Sequence, residues 1–143
     1  MKGEKFFGVI YALPNNLANR IFTKHKNIFI KFLAHNTKNI KIKIHNKLLV
    51  YISKSNKKIT GEAVIKNIEF LHIKELKRKY SNKIFLNNKE LNLYAIGREK
   101  KVLLVLTLYK IKRYHKERSI DYVITMAGKY INKEEYNKII GKR

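Results

Sequence analysis

The sequence has no cysteine and no tryptophan, and it contains one proline and six glycines among its 143 residues. Without cysteine the chain has no disulfide framework, no thiolate nucleophile and no cysteine-based zinc or iron–sulfur site. The scarcity of proline and glycine leaves little room for a flexible linker, which predicts one domain over residues 1–143. No run of about 18 apolar residues and no signal-peptide pattern is present, so we expect a cytoplasmic protein without membrane contact.

Acidic residues are also few: 10 Asp and Glu stand against 33 Lys and Arg, and the formal net charge is +23. An AT-rich genome would raise lysine and glutamate together, so codon bias does not explain the imbalance. A polyanionic partner explains the excess of basic residues. Nucleic acid is favoured over a membrane, because the sequence shows no basic amphipathic helix of the interfacial kind. An acidic protein partner, or a basic domain that is merely soluble, is the alternative.

The hydrophobic pattern predicts five to seven strands with short helices in the connections. The clearest alternation of period two places Ile40, Ile42 and Ile44 inward and Lys41 and Lys43 outward on one strand. Further strands are predicted at residues 6–11, 27–33, 48–52, 59–71 and 101–114, and an extended segment broken by Gly128 is predicted at residues 121–131. Helices are predicted after an asparagine cap at residue 15 or 16, at 73–80, after an Asn87–Glu90 capping box and after Asn132. The sum is an α+β fold built on a small, partly closed barrel.

The stretch from Tyr51 to Ile65 has the pattern of a hairpin, and it carries Glu62 beside Gly61 in an apparent core strand. An unpaired carboxylate there is costly, so Glu62 must either pair with a cation or face a wet cleft. We favour the cleft, because Gly61 opens space and because Tyr51 and Ser53 on the partner strand supply a ring and a hydroxyl. An ion pair with one of the many lysines is the alternative.

The sequence shows no clear pattern for a metal site or a phosphate-binding loop. The five histidines are scattered without metal-binding spacing, and the isolated glycines form no phosphate loop, so neither a metal nor a cofactor is expected. Aromatic residues next to basic ones are typical of single-strand recognition, although most of these rings are also suited to a core. The predicted nucleic-acid-binding residues are Arg20, Lys24, Lys26, Lys31, Lys41, Lys43, Tyr51, Ser53, Glu62, Lys110, Lys112, Lys129 and Tyr130.

Three stretches carry a resemblance to a known family: VIYALPNNLANRIFTKHKNIFIKF, LLVYISKSNKKITGEAVIKNIEF and ITMAGKYINKEEY. They resemble an archaeal family catalogued as a domain of unknown function in the PUA-like group, over nearly the whole chain. The middle stretch is similar to the hairpin of EVE and YTH domains, and RIFTKHKNIFIKF is similar in outline to ASCH domains. The resemblance implies a pseudo-barrel with a cleft for an extruded or single-stranded nucleotide.

The same resemblance implies a possible enzyme. Some ASCH-like members are amidohydrolases that act on acylated cytidine through Lys, Thr and Glu, and Lys26, Thr23 and Glu62 can be laid over those roles. The chain departs from that pattern at His25, where the family has glycine before the lysine. It also lacks the tryptophan cage of YTH readers.

Together these features predict a PUA-like RNA-binding module that reads structured or modified RNA, with tRNA and rRNA as candidates. The pocket is expected near Lys26, Lys31, Tyr51, Ser53 and Glu62. A small amidohydrolase acting on a modified nucleoside is the first alternative, and a basic architectural protein bound to DNA is the second. The oligomeric state is left open by the sequence.

Overall fold

The computed structural model describes residues 6–32, 40–54, 57–125 and 127–141, which form six strands and four short helices. The elements in chain order are β1 Gly8–Leu13, α1 Asn15–Thr23, β2 Ile28–Phe32, β3 Lys47–Ile52, β4 Lys58–Leu71, α2 Ile73–Tyr80, α3 Asn88–Ala95, β5 Leu103–Ser119, β6 Lys129–Ile131 and α4 Lys133–Gly141. The α+β class and the number of strands expected from the pattern are confirmed. Within the described ranges, each helix is too short or too polar to cross a membrane.

The strands form one sheet in the order β2-β5-β4-β3-β1-β6. β1 and β3 are parallel, and the other neighbours are antiparallel. β4 and β5 are the longest strands, with 14 and 17 residues, and their pairing contains three register shifts. Because each shift bends the paired strands, the sheet curls into a half-barrel.

The two faces of the sheet bury different cores. Alternation along β1 sends Val9 into the larger core and Ile10 into the smaller one. The larger core also receives apolar residues of α1, α2 and α3, including Ile21 and Leu76, while Ile139 of α4 closes the smaller core. Burial on both faces explains why the sequence of the central strands is apolar almost throughout.

The predicted strand at residues 40–45 is wrong, because the described residues 40–46 form a loop with a turn. The side-chain oxygen of Asn46 accepts a hydrogen bond from the Lys43 backbone at 2.7 Å, and His45 adopts a left-handed φ of 78°. This local asparagine turn competes successfully with a strand. Ile42 is buried as expected, whereas Ile44 is 46% exposed.

Two of the three predicted asparagine helix caps are present in the structure. Asn87 and Glu90 form the expected capping box at the start of α3, and Asn132 and Glu135 make the reciprocal pair before α4. The asparagine cap of α1 is wrong, because Pro14 occupies the cap position and offers no side-chain acceptor.

Candidate nucleic-acid interface

Glu62 has three hydrogen-bond partners and is 4% exposed. Its Oε2 accepts from Lys47 Nζ at 2.8 Å, and its Oε1 accepts from the hydroxyls of Tyr114 at 2.8 Å and Tyr136 at 2.7 Å. Burial alone would raise the pKa of Glu62, but the bonds from Lys47, Tyr136 and Tyr114 outweigh it and hold that pKa below its usual range. Since these partners belong to β3, β5 and α4, Glu62 fastens α4 to the sheet.

Glu62 does not face a wet cleft: it is buried and forms an ion pair with Lys47, as in the alternative interpretation. Tyr51 is 5% exposed and lies in the smaller core. The space at Gly61 is already occupied: a Cβ there would lie 2.5 Å from Cζ of Phe22 and 2.6 Å from the carbonyl oxygen of Lys112. The absence of a side chain at Gly61 therefore allows α1 to pack closely against the sheet.

The structure does not bring Thr23, Lys26 and Glu62 together. The Thr23 hydroxyl donates to the Asn19 carbonyl at 2.7 Å, and Lys26 Nζ donates to the Asn82 carbonyl at 2.7 Å. Neighbouring residues on a strand point to opposite faces, so Glu62 points away from the face on which Gly61 meets α1. The observed hydrogen bonds of Thr23 and Lys26 therefore go to backbone carbonyls and not to Glu62.

A basic groove, of about 500 Å³, lies between α1, α2 and the segment leading into α3. Its four cationic residues come from α1, from the loop before β2 and from α2; they are Arg20, Lys24, Lys26 and Lys77. Its remaining lining residues are Ser81, Asn82, Ile84, Phe85, Leu86, Asn87, Asn88 and Leu91. None of these twelve residues is acidic, so the groove suits an anionic ligand.

Arg20 organises one wall of the groove. Its guanidinium donates two hydrogen bonds to Glu90 of α3, the second from Nη2 to Oε2 at 3.0 Å, and it also donates to the Phe85 carbonyl at 3.1 Å. The bond from Arg20 lowers the pKa of Glu90, with help from the backbone of Asn87. Arg20 therefore positions α3 against α1, and the charges of Lys24, Lys26 and Lys77 are left to face the groove.

A smaller aromatic pocket, of about 250 Å³, adjoins the groove and shares Phe85 and Leu86 with it. Its wall contains three rings in a row: Tyr11 and Phe29 are stacked with centroids 5.2 Å apart, and Phe29 and Phe85 follow at 5.6 Å. Lys31 Nζ lies 5.4 Å from the centroid of the Tyr11 ring, and burial lowers the pKa of Lys31. The pocket thus combines apolar walls with one cation, Lys31, and one carboxylate, that of Glu90.

The remaining predicted binding residues lie outside the groove and the aromatic pocket. Lys41 and Lys43 are exposed in the loop before β3, Lys110 and Lys112 are exposed on β5, Ser53 follows β3, and Lys129 and Tyr130 are half-buried on β6. Sequence reasoning missed Lys77 and the asparagines of the groove. The run Lys77-Arg78-Lys79 was a visible signal, but the sequence does not show that α2 faces α1.

The curled sheet with its short helices is the α+β fold of ASCH domains, within the PUA-like group. The ASCH protein of Zymomonas mobilis has a TM-score of 0.78 at 15% identity, covering 94% of both chains. A mutant of it, with phenylalanine in place of a tyrosine, has a TM-score of 0.79 at 13% identity, covering 94% of this chain and 97% of that chain. The N-terminal domain of McrB from Staphylothermus marinus has a TM-score of 0.64 at 18% identity, covering 100% of this chain and 99% of that one.

The chain belongs to the family DUF365, described as a domain of unknown function, whose model matches residues 6–133. An uncharacterised protein of the archaeon Methanocaldococcus jannaschii is 29% identical over 106 residues, which are 67% of this chain and 98% of that protein. The resemblance to an archaeal family of the PUA-like group is confirmed.

Proposed function

We propose that this protein is an RNA-binding module and that its basic groove holds the phosphate backbone of a single-stranded segment. The observation that carries the proposal is the composition of the groove: four cations from three parts of the chain line one concavity without an acidic residue. Lys and Arg side chains that neutralise phosphates dominate the affinity of nucleic-acid binding. The net charge of +23 supports the same partner.

The surroundings of the groove favour an unpaired strand. Sequence-specific proteins recognise RNA mostly at loops, bulges and ends, where unstacked bases reach aromatic pockets. Here the aromatic pocket shares the Phe85–Leu86 segment with the groove, so a base has a flat apolar site beside the backbone track. A concave groove of about 500 Å³ suits a nucleotide segment better than the convex surface of a duplex. Structured RNA such as tRNA or rRNA offers such segments.

The test compares two variants of equal charge. In the groove variant Lys24, Lys26 and Lys77 are changed to Gln, and in the control variant the exposed Lys100, Lys101 and Lys116, which are outside the groove lining, are changed to Gln. The affinity for a single-stranded RNA should fall at least about tenfold further in the groove variant, since phosphate contacts are lost there and only the general field is weakened in the control.

Competition with duplex DNA of equal length separates the alternatives. RNA should be displaced poorly by the duplex if the groove binds an unpaired strand. Equal losses in both variants, or equal competition by duplex DNA, would contradict the proposal and favour the architectural DNA-binding alternative.

A further inference from the structure

We infer that a second phosphate-binding site lies at the N-terminal end of α1, in a cavity of about 320 Å³ that is separate from the basic groove. We call it the α1 pocket. Its polar lining comes from α1, β4 and β5 and consists of Asn15, Asn19, Thr60, Arg113, His115 and Glu117. The inference rests on the proposed function only for the source of the phosphate, which is RNA.

Thr60 is the first observation. It lines the pocket although it is 6% exposed, and its hydroxyl has no hydrogen-bond partner among the described residues. The Thr60 hydroxyl makes no bond within the described part of the protein and is open to the cavity, so its donor and its acceptor are both available to a ligand. Thr60 can therefore supply a hydrogen bond to a group bound in the pocket.

The backbone around Thr60 is shaped to form the pocket. The pairing of β4 with β5 jumps from Ile59↔Arg118 to Gly61↔Arg113, so four residues of β5, 114–117, lie opposite Thr60 alone. Such bulges redirect side chains and are common beside binding sites. Here the bulge carries His115 and Glu117 to the rim of the pocket.

The N-terminus of α1 supplies the second observation. The N–H groups of Leu17 and Ala18 both donate to the Pro14 carbonyl, at 3.1 and 3.0 Å. The N–H groups of Asn15 and Asn16 have no acceptor within the helix, Pro14 gives no side-chain cap, and the first turn carries no acidic residue. An uncapped helix N-terminus carries partial positive charge and free donors, which favour an anion.

Arg113 adds a fixed cation. Its guanidinium carbon lies 5.3 Å from the centroid of the Phe22 ring, and one of its nitrogens donates to the side-chain oxygen of Asn19. These contacts fix the planar guanidinium group of Arg113 and leave its other N–H groups available to a ligand. Paired N–H donors of a guanidinium match the geometry of two phosphate oxygens. Together with the helix terminus, Arg113 offsets the charge of Glu117.

The pocket suits a phosphate better than a base. Its lining is polar apart from the ring of Tyr114, whose hydroxyl is given to Glu62, whereas the aromatic pocket is lined by stacked apolar rings. Asn15 and Asn19 lie on the pocket side of α1, and Arg20 and Lys24 lie on the groove side. A strand held in the groove can therefore cross α1 and place another phosphate in the α1 pocket.

The first experiment titrates the folded full chain with inorganic phosphate and follows backbone amide NMR signals. We expect saturable shifts at Asn15, Asn16 and Thr60, and a phosphate affinity about tenfold lower for Thr60→Val, which keeps the shape and removes the hydroxyl. Thr125→Val, at an exposed threonine outside the pocket lining, is the matched control and should bind as the unmodified chain does. An unchanged melting temperature for both variants shows that the fold is kept.

The second experiment identifies the source of the phosphate with 5′-phosphorylated and 5′-hydroxyl forms of one oligoribonucleotide. If the α1 pocket binds a terminal phosphate, the unmodified chain should prefer the phosphorylated oligonucleotide, and Thr60→Val and Arg113→Gln should abolish that preference. If the pocket binds an internal phosphodiester, the chain should bind both oligonucleotides equally, and each variant should reduce the binding of both by the same factor. Arg78→Gln, which removes an equal charge from an exposed site outside the pocket, should reduce binding less.

The inference is overturned if phosphate leaves the three amide signals unshifted, or if Thr60→Val and Arg113→Gln bind RNA as their controls do. In that case RNA binding that still depends on Lys24, Lys26 and Lys77 would leave the proposed function standing. Conversely, phosphate-induced shifts in a chain that binds no RNA would keep the α1 pocket and refute the proposed function.

Discussion

Two carboxylates on opposite sides of the molecule are both paired with a cation, but their surroundings differ. Glu62 and Lys47 meet at 2.8 Å, and the Glu62 side chain is 6% exposed beneath α4. Glu90 and Arg20 meet at the edge of the basic groove, where their side chains are 31% and 26% exposed. Two tyrosine hydroxyls complete the bonding of Glu62, whereas three further cations stand beside the Arg20–Glu90 pair.

The comparison shows why a buried carboxylate on a core strand is a poor guide to a binding site in this chain. Glu62 is buried and paired with Lys47, Tyr114 and Tyr136, so it holds α4 to the sheet. The groove side has an excess of positive charge and an open cavity, so it can accept a ligand. If this division is correct, mutations should affect stability on one side and RNA affinity on the other.

The largest effect on stability is expected for Glu62→Gln. The change leaves Lys47 facing an amide N–H₂ or an unfilled site, and the free energy of unfolding should fall by about 2–4 kcal/mol. Urea unfolding followed by circular dichroism measures it. RNA affinity should stay within about twofold while the variant is folded, since Glu62 is outside the groove lining.

Glu90→Gln is the comparison, with an expected loss below about 1 kcal/mol because this pair is partly solvated. Combining Glu62→Gln with Lys47→Met should recover part of the stability, since the ammonium left without its carboxylate is then removed as well. Equal losses for Glu62→Gln and Glu90→Gln would remove the distinction between the two pairs.

Gly61→Ala should come next, with a loss of about 1–3 kcal/mol. The new Cβ would lie 2.5 Å from the Phe22 ring and 2.6 Å from the backbone oxygen of Lys112, so α1 or β5 must shift. Gly141→Ala meets nothing within 4 Å and should cost nothing measurable. Thermal melts of both variants check this, and equal melting temperatures would show that α1 does not pack against Gly61.

The pH dependence of stability sharpens the same distinction. The folded-state pKa of Glu62 is below its usual value, so its contribution is complete above the unfolded-state pKa of about 4.3 and is lost as pH falls through the folded-state pKa. The stability difference between the unmodified chain and Glu62→Gln should therefore shrink below about pH 4. A difference that stays constant from pH 7 to pH 3 would contradict the assigned pairing.

The smallest effect on stability is expected for changing both Lys41 and Lys43 to Ser. These lysines are exposed in a loop, so the free energy of unfolding should change by less than about 0.5 kcal/mol. RNA affinity should fall less than in a variant that loses two groove lysines, Lys24 and Lys26. Chemical unfolding and a binding titration measure the two quantities, and a reversed order of affinities would move the RNA site to the loop.

Local signals in the sequence predicted the parts of the fold that depend on neighbouring residues. The hairpin of β3 and β4 and the capping boxes at Asn87 and Asn132 follow from spacing and turn residues within a few positions. The alternation at residues 40–45 does not form a strand, because Asn46 forms a competing local turn.

The site was harder to predict, because its partners are distant in sequence. Tyr136 reaches Glu62 across 74 positions, and Lys26 joins Asn82 across 56 positions. Charge and aromatic content indicated a nucleic-acid partner, but only the packing of α2 and α3 against α1 shows which cations share a groove. Spacing along the chain does not contain that information.

The central proposal is tested most directly by the salt dependence of RNA binding in the unmodified chain and in the groove variant with Lys24, Lys26 and Lys77 changed to Gln. If about five phosphates are neutralised, the logarithm of affinity should fall against the logarithm of salt concentration with a slope of roughly 3 to 4. Removing three phosphate contacts should lower that slope by about 2 in the groove variant. An unchanged slope would show that the basic groove does not hold the RNA backbone.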